Sequence, residues 1–131
     1  MTRVAVTYQL EIAVARSIEL AVGRLGTFRF PAGRYVYTGS ARRNLEARVA
    51  RHLRRKKTPR WHIDWLLLAP GVTVTAVRRS SCEECNLNRR TRGVVLVPGF
   101  GASDCRAGCG SHLRYIGRRG AARTRSGQET M

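Results

Sequence analysis

Lysine is nearly missing from this chain. Only Lys56 and Lys57 occur, and all the other members of its 25 basic residues are arginine. Acidic residues are scarce as well, eight in all, so the formal net charge is +17 over 131 residues. Such an imbalance destabilises a compact state by self-repulsion and leads us to expect a polyanionic partner, nucleic acid, DNA in the first instance. A GC-rich genome also exchanges lysine for arginine, but it leaves the charge itself unexplained; the arginine fork suits bidentate contact with phosphate. Long apolar runs are missing too. The longest, Trp61 to Val77, is broken by His62, Asp64 and Pro70 and is too short to span a bilayer, so no membrane partner is expected. Thr2 to Val14 lacks the continuous apolar core and cleavage site of a secretory signal, which makes the cytoplasm the expected location. In a reducing compartment the four cysteines are expected to be free or metal-bound and not disulfide-linked.

What is present is enough for one small domain. Hydrophobic residues make up 43% of the chain, sufficient for a packed core at this length. Val4, Val6, Tyr8, Leu10, Ile12 and Val14 alternate as a half-buried strand, and Ile18, Leu20 and Val22 alternate after a short connection, predicting a hairpin. Phe28 and Phe30 anchor a turn-rich stretch, and Tyr35 and Tyr37 share one face of the next strand. A helix is predicted from Asn44, its N-cap, to Arg55. A second runs from Trp61 to Ala69, stopped by Pro70-Gly71. A strand over Val72 to Val77, a short helix over Ser81 to Arg90 and a small strand over Val94 to Val97 follow. Residues 1–116 read as the folded domain. From Gly117 apolar periodicity ceases, and residues 117–131 read as a basic disordered tail. The fold class expected is α/β or α+β: a small, mostly antiparallel sheet flanked by helices.

The first predicted helix carries the sharpest signal. Leu45, Val49 and Leu53 define its apolar stripe, and steps of 100° put His52 inside that stripe and Arg48 at its edge. Arg51, Arg54 and Arg55 fall on the opposite side. Inward-facing Arg48 and His52 need a partner, either a phosphate or an internal carboxylate such as Asp64 or Glu46.

Tyr37-Thr38-Gly39-Ser40, followed by Arg48 and then His52, resembles the second half of the GIY-YIG nuclease signature. Val6-Thr7-Tyr8 corresponds to the first half, with Val6 where that family has glycine. Arg24-Leu25-Gly26, Phe30-Pro31-Ala32-Gly33, Tyr37 to Ala41, Trp61-His62-Ile63-Asp64, Glu84-Cys85, Pro98 to Cys105 and Ser111-His112-Leu113 resemble the DUF123 branch, whose members occur alone or fused to endonuclease III-type repair enzymes. The resemblance covers about Val6 to Tyr115. It implies a nuclease site in which Tyr8 and Tyr37 orient or deprotonate water, Arg48 holds the phosphate, His52 assists and Glu84 binds Mg²⁺ or Mn²⁺. His62 matches a position that contacts phosphate.

Each of these residues also has a structural reading. Tyr8 and Tyr37 suit a sheet core. Glu84 completes a capping box with Ser81, and Ser80 with Glu83 offers the same pattern one residue earlier. The insertion between Tyr8 and Tyr37 is longer than in typical nucleases of the superfamily. Arg42, Arg43, Arg51, Arg54, Arg55, Lys56 and Lys57 are expected to follow a nucleic-acid backbone without reading sequence.

Cys82-x2-Cys85 and Cys105-x3-Cys109, with His112 beyond, offer a structural zinc set; Cys85, Cys105, Cys109 and His112 form an alternative one, and buried free thiols are the third reading. The function expected is metal-dependent hydrolysis of phosphodiester bonds in nucleic acid, repair-related by the company its relatives keep. The alternative is a catalytically inactive nucleic-acid-binding module of the same fold.

Overall fold

Between Thr7 and Val14 every residue but Ala13 is buried, so this strand lies at the centre of a sheet and not on its edge. The computed structural model describes residues 7–41, 43–80, 91, 93–100 and 111–117. Its elements are β1 (Thr7–Val14), β2 (Ile18–Val22), a 3-10 turn (Gly23–Leu25), β3 (Gly26–Phe30), β4 (Gly33–Ser40), α1 (Leu45–Leu53), α2 (His62–Leu67), β5 (Val72–Ser80) and β6 (Leu113–Gly117). The main sheet has the order β5-β1-β4-β6 and its pairings are antiparallel. The protein is thus a small α+β fold, a mostly antiparallel sheet with two helices.

The expected hairpin of β1 with β2 does not form. β1 pairs with β4 and β5, whereas β2 pairs with β3 in a separate two-stranded sheet. Alternation states which face of a strand is apolar but not which strand lies beside it. Gly26, at φ 124°, supplies a backbone conformation that side chains resist and lets the chain double back from β2 into β3.

One face of the main sheet carries Tyr8, Leu10, Ile12, Tyr35, Tyr37 and Leu113, all buried. Leu45 and Val49 from α1, Ile63, Leu66 and Leu67 from α2, and Phe30, Val97 and Phe100 complete this core. α1 packs on β1, while α2 packs on β2 and β5. The opposite face is polar and still buried at Thr7, Gln9, Glu11 and Thr38. There the Gln9 amide donates to the hydroxyls of Thr38 at 3.0 Å and Thr91 at 2.7 Å, and Glu11 is paired with Arg34 and Arg78. These partners satisfy polar groups whose burial alone would be costly.

Several boundaries differ from expectation. α1 ends at Leu53, which is 50% exposed and not part of the stripe: the helix stops there, and its side chain lines an open groove with Leu67, Val72 and Val74. Asn44 takes the N-cap position in a left-handed conformation without a side-chain cap; its carbonyl instead accepts the Arg48 amide at 3.0 Å. The stretch Val94 to Val97 forms only an isolated bridge, Val94 to Tyr115, and no strand. The helix expected over Ser81 to Arg90, and the tail from residue 118 on, lie outside the described residues. Among the described residues no helix is long and apolar enough to cross a membrane.

Candidate functional site

β1 and α1 meet at a hydrogen bond. The Tyr8 hydroxyl and Nε2 of His52 stand 2.6 Å apart, and both residues are 2% exposed. The Tyr8 ring lies on the backbone of Gly39, where a Cβ would come within 2.5 Å of its Cζ and hydroxyl. Gly39 is therefore required for Tyr8 to reach His52, a reason separate from any turn. The Tyr37 ring completes the cluster, with centroids 6.5 Å from Tyr8 and 6.2 Å from His52.

Arg48 joins the same end of β4. Its Nη1 donates to the Ser40 carbonyl at 2.8 Å, and its guanidinium stands 4.9 Å from the centroid of Trp61. Tyr8 from β1, Tyr37 from β4 and Arg48 and His52 from α1 thus gather around one end of β1 and β4.

Asp64 is the hidden organiser of this region. It is fully buried at the third position of α2 and accepts the backbone amides of Arg60 at 2.8 Å and Trp61 at 3.0 Å. Both its carboxylate oxygens accept Arg51 Nη1 at 3.0 Å. Arg51 therefore turns toward the protein and lies 4.5 Å from the Trp61 centroid, where the helical wheel alone had placed it toward solvent. A buried carboxylate attracts the nearest guanidinium more strongly than helical phase disposes of it. Lys57 is inward as well: with a side chain 1% exposed it donates to the carbonyls of Arg51 at 3.1 Å and His52 at 2.8 Å, closing the end of α1. Among the described residues Arg48 finds no carboxylate; Glu46, the other candidate, pairs with Arg79.

The electrostatics follow from this packing. Burial, and then the charge of Lys57, push the His52 pKa down to about 4, with Arg51 and Arg48 adding to the shift and Asp64 opposing it. His52 is neutral at pH 7. Its Nδ1 faces an Asp64 oxygen at 4.0 Å, which favours the tautomer protonated there and leaves Nε2 to accept the Tyr8 O–H. Three hydrogen bonds and the neighbouring Arg51 hold the Asp64 carboxyl below its ordinary pKa against the effect of burial.

Of the expected backbone-contacting residues, Arg43, Arg54, Arg55 and Lys56 are exposed, and Arg42 lies outside the described residues. His62 is half-buried, its ring 5.6 Å from Phe100, and burial lowers its pKa. His112 is buried, its carbonyl accepting the Thr38 amide at 3.0 Å.

The metal-binding expectations meet a limit here. Glu84, Cys82, Cys85, Cys105 and Cys109 lie outside the described residues, and no group of three or more His, Cys, Asp or Glu that could hold a metal occurs among the described residues. Of the described carboxylates, Glu11, Glu46 and Asp64 are committed to arginine, and Glu19 is exposed on β2. The described residues thus do not by themselves make a metal site beside Tyr8.

Sequence reasoning missed the cap formed by Lys57 and the packing of Tyr8 on Gly39. It named Asp64 only as one possible partner for Arg48 and His52. A signal for Asp64 was available: an acid three residues after Trp61 at a helix start is the spacing that returns a carboxylate to the first amides.

The site and fold define a small basic α+β domain with a buried tyrosine–histidine pair beside a row of arginines. Residues 7–129 match the family described as "Domain of unknown function DUF123", and the chain belongs to that family. No curated protein and no solved structure gives a significant match.

Proposed function

We propose that this protein is a GIY-YIG-type endonuclease that hydrolyses phosphodiester bonds in nucleic acid, DNA being the expected substrate. The observation that carries the reading is the hydrogen bond of Tyr8 to neutral His52, with Arg48 tied to the adjoining turn through Ser40. The neutral imidazole accepts the Tyr8 O–H through Nε2, which leaves the lone pairs of the phenolic oxygen to receive a hydrogen bond from water. Tyr8 is thus suited to hold and orient the attacking water, its own proton directed at His52. Tyr37 packs against both rings and orients them. Arg48 uses one nitrogen on Ser40 and keeps the rest of its fork for phosphate.

Glu84 is the proposed ligand for Mg²⁺ or Mn²⁺, which when bound would stabilise charge on the leaving oxygen. It follows Ser80 by four positions in the sequence, and Ser80 ends β5 opposite Thr7, next to Tyr8. Glu83 is the alternative one residue earlier. Zinc on the cysteines with His112 is proposed as structural. The exposed Arg43, Arg54, Arg55 and Lys56 supply contacts to the backbone that carry no sequence information, so affinity is expected to fall steeply with salt.

The burial of Tyr8 at 2% favours a second reading, a module that binds nucleic acid without cleaving it. Labelled single-stranded, duplex and branched DNA, and RNA, incubated with Mg²⁺ or Mn²⁺, separate the two. Cleavage by the wild type that is lost in Glu84→Gln and in Tyr8→Phe, purified identically, supports the nuclease. Salt-dependent binding with no cleavage supports the module. Cleavage that survives both substitutions would refute the assigned site.

A further inference from the structure

Beside the end of α1 lies an open cleft of about 340 Å³ lined by Arg51, Arg54, Lys57, Thr58, Pro59 and Arg60. Four of its six lining residues are cations. The carboxylate that touches this group is Asp64, buried behind it and already shared between Arg51 and Lys57. The cleft therefore keeps an excess of positive charge that nothing else among the described residues neutralises.

Its cations divide into two kinds. Arg51 and Lys57 are fixed: Arg51 Nη2 donates to the Thr58 carbonyl at 3.0 Å while Nη1 holds Asp64, and the Lys57 ammonium is tied to the end of α1. They set the field. Arg54 and Arg60 are exposed and make no ion pair among the described residues, so their guanidinium groups can close on a ligand from the two sides. The guanidiniums of Arg48, Arg51 and Arg60 stand 4.9, 4.5 and 5.8 Å from the Trp61 centroid. One indole thus carries, around a single ring, both the arginine of the candidate active site and the wall of the cleft.

We infer that this cleft is a second phosphate site, which takes the phosphate next along the strand from the one at Arg48, with Arg54 and Arg60 as its ligands. This rests on the nucleic-acid reading above and narrows it: the preferred substrate presents at least two consecutive phosphates. Charge-assisted hydrogen bonds from two arginines are worth roughly a tenfold gain in affinity or more.

The test is NMR titration of the full chain with thymidine oligomers carrying one phosphate (TpT) or two (TpTpT). It is run on wild type, on Arg54→Gln/Arg60→Gln, and on Arg24→Gln/Arg29→Gln. The last pair loses the same charge from exposed positions on the 3-10 turn and β3. The expected result is that TpTpT binds wild type and Arg24→Gln/Arg29→Gln about tenfold more tightly than TpT, and that the advantage disappears in Arg54→Gln/Arg60→Gln while TpT affinity holds. An advantage that persists in Arg54→Gln/Arg60→Gln, or falls equally in both double variants, would overturn the second site in favour of a diffuse field. An absence of advantage in the wild type overturns it as well. If neither oligomer binds the wild type, the nucleic-acid reading fails together with it.

Discussion

The Tyr8 hydroxyl meets Nε2 of His52 at 2.6 Å across 44 residues of sequence, joining the central strand to the first helix inside the core. In Tyr8→Phe, Nε2 is left buried without its partner, which costs about 1–3 kcal/mol. Chemical denaturation should show that loss while far-UV circular dichroism stays native. If Tyr8 acts as proposed, cleavage disappears but binding of nucleic acid does not.

The buried imidazole should make stability depend on pH. With a folded pKa of about 4 against an ordinary value near 6.5, His52 takes up a proton more readily in the unfolded chain. Stability therefore falls as pH drops from about 6.5 toward 4, by about 2–3 kcal/mol in the limit where this one group dominates. Asp64, its carboxyl pKa lowered by folding, adds a loss of the same sign at more acidic pH. Denaturation midpoints at pH 4.5 and 7 should differ in wild type and differ much less in His52→Gln. Equal differences in both would move the effect to other groups.

Gly39→Ala should disturb the site although no charge changes. A methyl group 2.5 Å from the Tyr8 Cζ and hydroxyl must push that ring away from His52. Overpacking of this kind costs about 1–3 kcal/mol, and Tyr8 ring resonances in an NMR spectrum should shift. Unchanged spectra would show that the ring has room to move.

Lys57 and Asp64 act on His52 in opposite senses. Lys57→Met removes a charge that lowers the imidazole pKa, so the titration of His52 followed by NMR should move up. Asp64→Asn should move it down. It also strands Arg51 and Lys57 without their carboxylate, at a cost of about 3 kcal/mol or more. The same direction of shift in both variants would contradict the network described here.

Much of the site was legible in the chain. Helical phase placed His52 with Leu45 and Val49, and the strand period placed Tyr8 with Leu10 and Tyr37 with Tyr35 on apolar faces; all of these are buried except where α1 ends early at Leu53. Arg51 was not legible, because its orientation is decided by Asp64, thirteen residues away, and not by the helix that carries it. The pairing of β1 was not legible either, because β2, β4 and β5 compete for its two edges and only the packed core decides among them.

The sequence by itself determined the family, the strong positive charge, the faces of the strands and the inward phase of His52, since these follow from residue identity and from periods of two and 3.6 residues. Tertiary structure alone decided that Tyr8 bonds His52, that Gly39 makes room for that bond, that Asp64 draws Arg51 and Lys57 inward, and that Arg48, Arg51 and Arg60 gather around Trp61. Those relationships join separate elements, and the burial that makes each interaction strong exists only once the elements have packed.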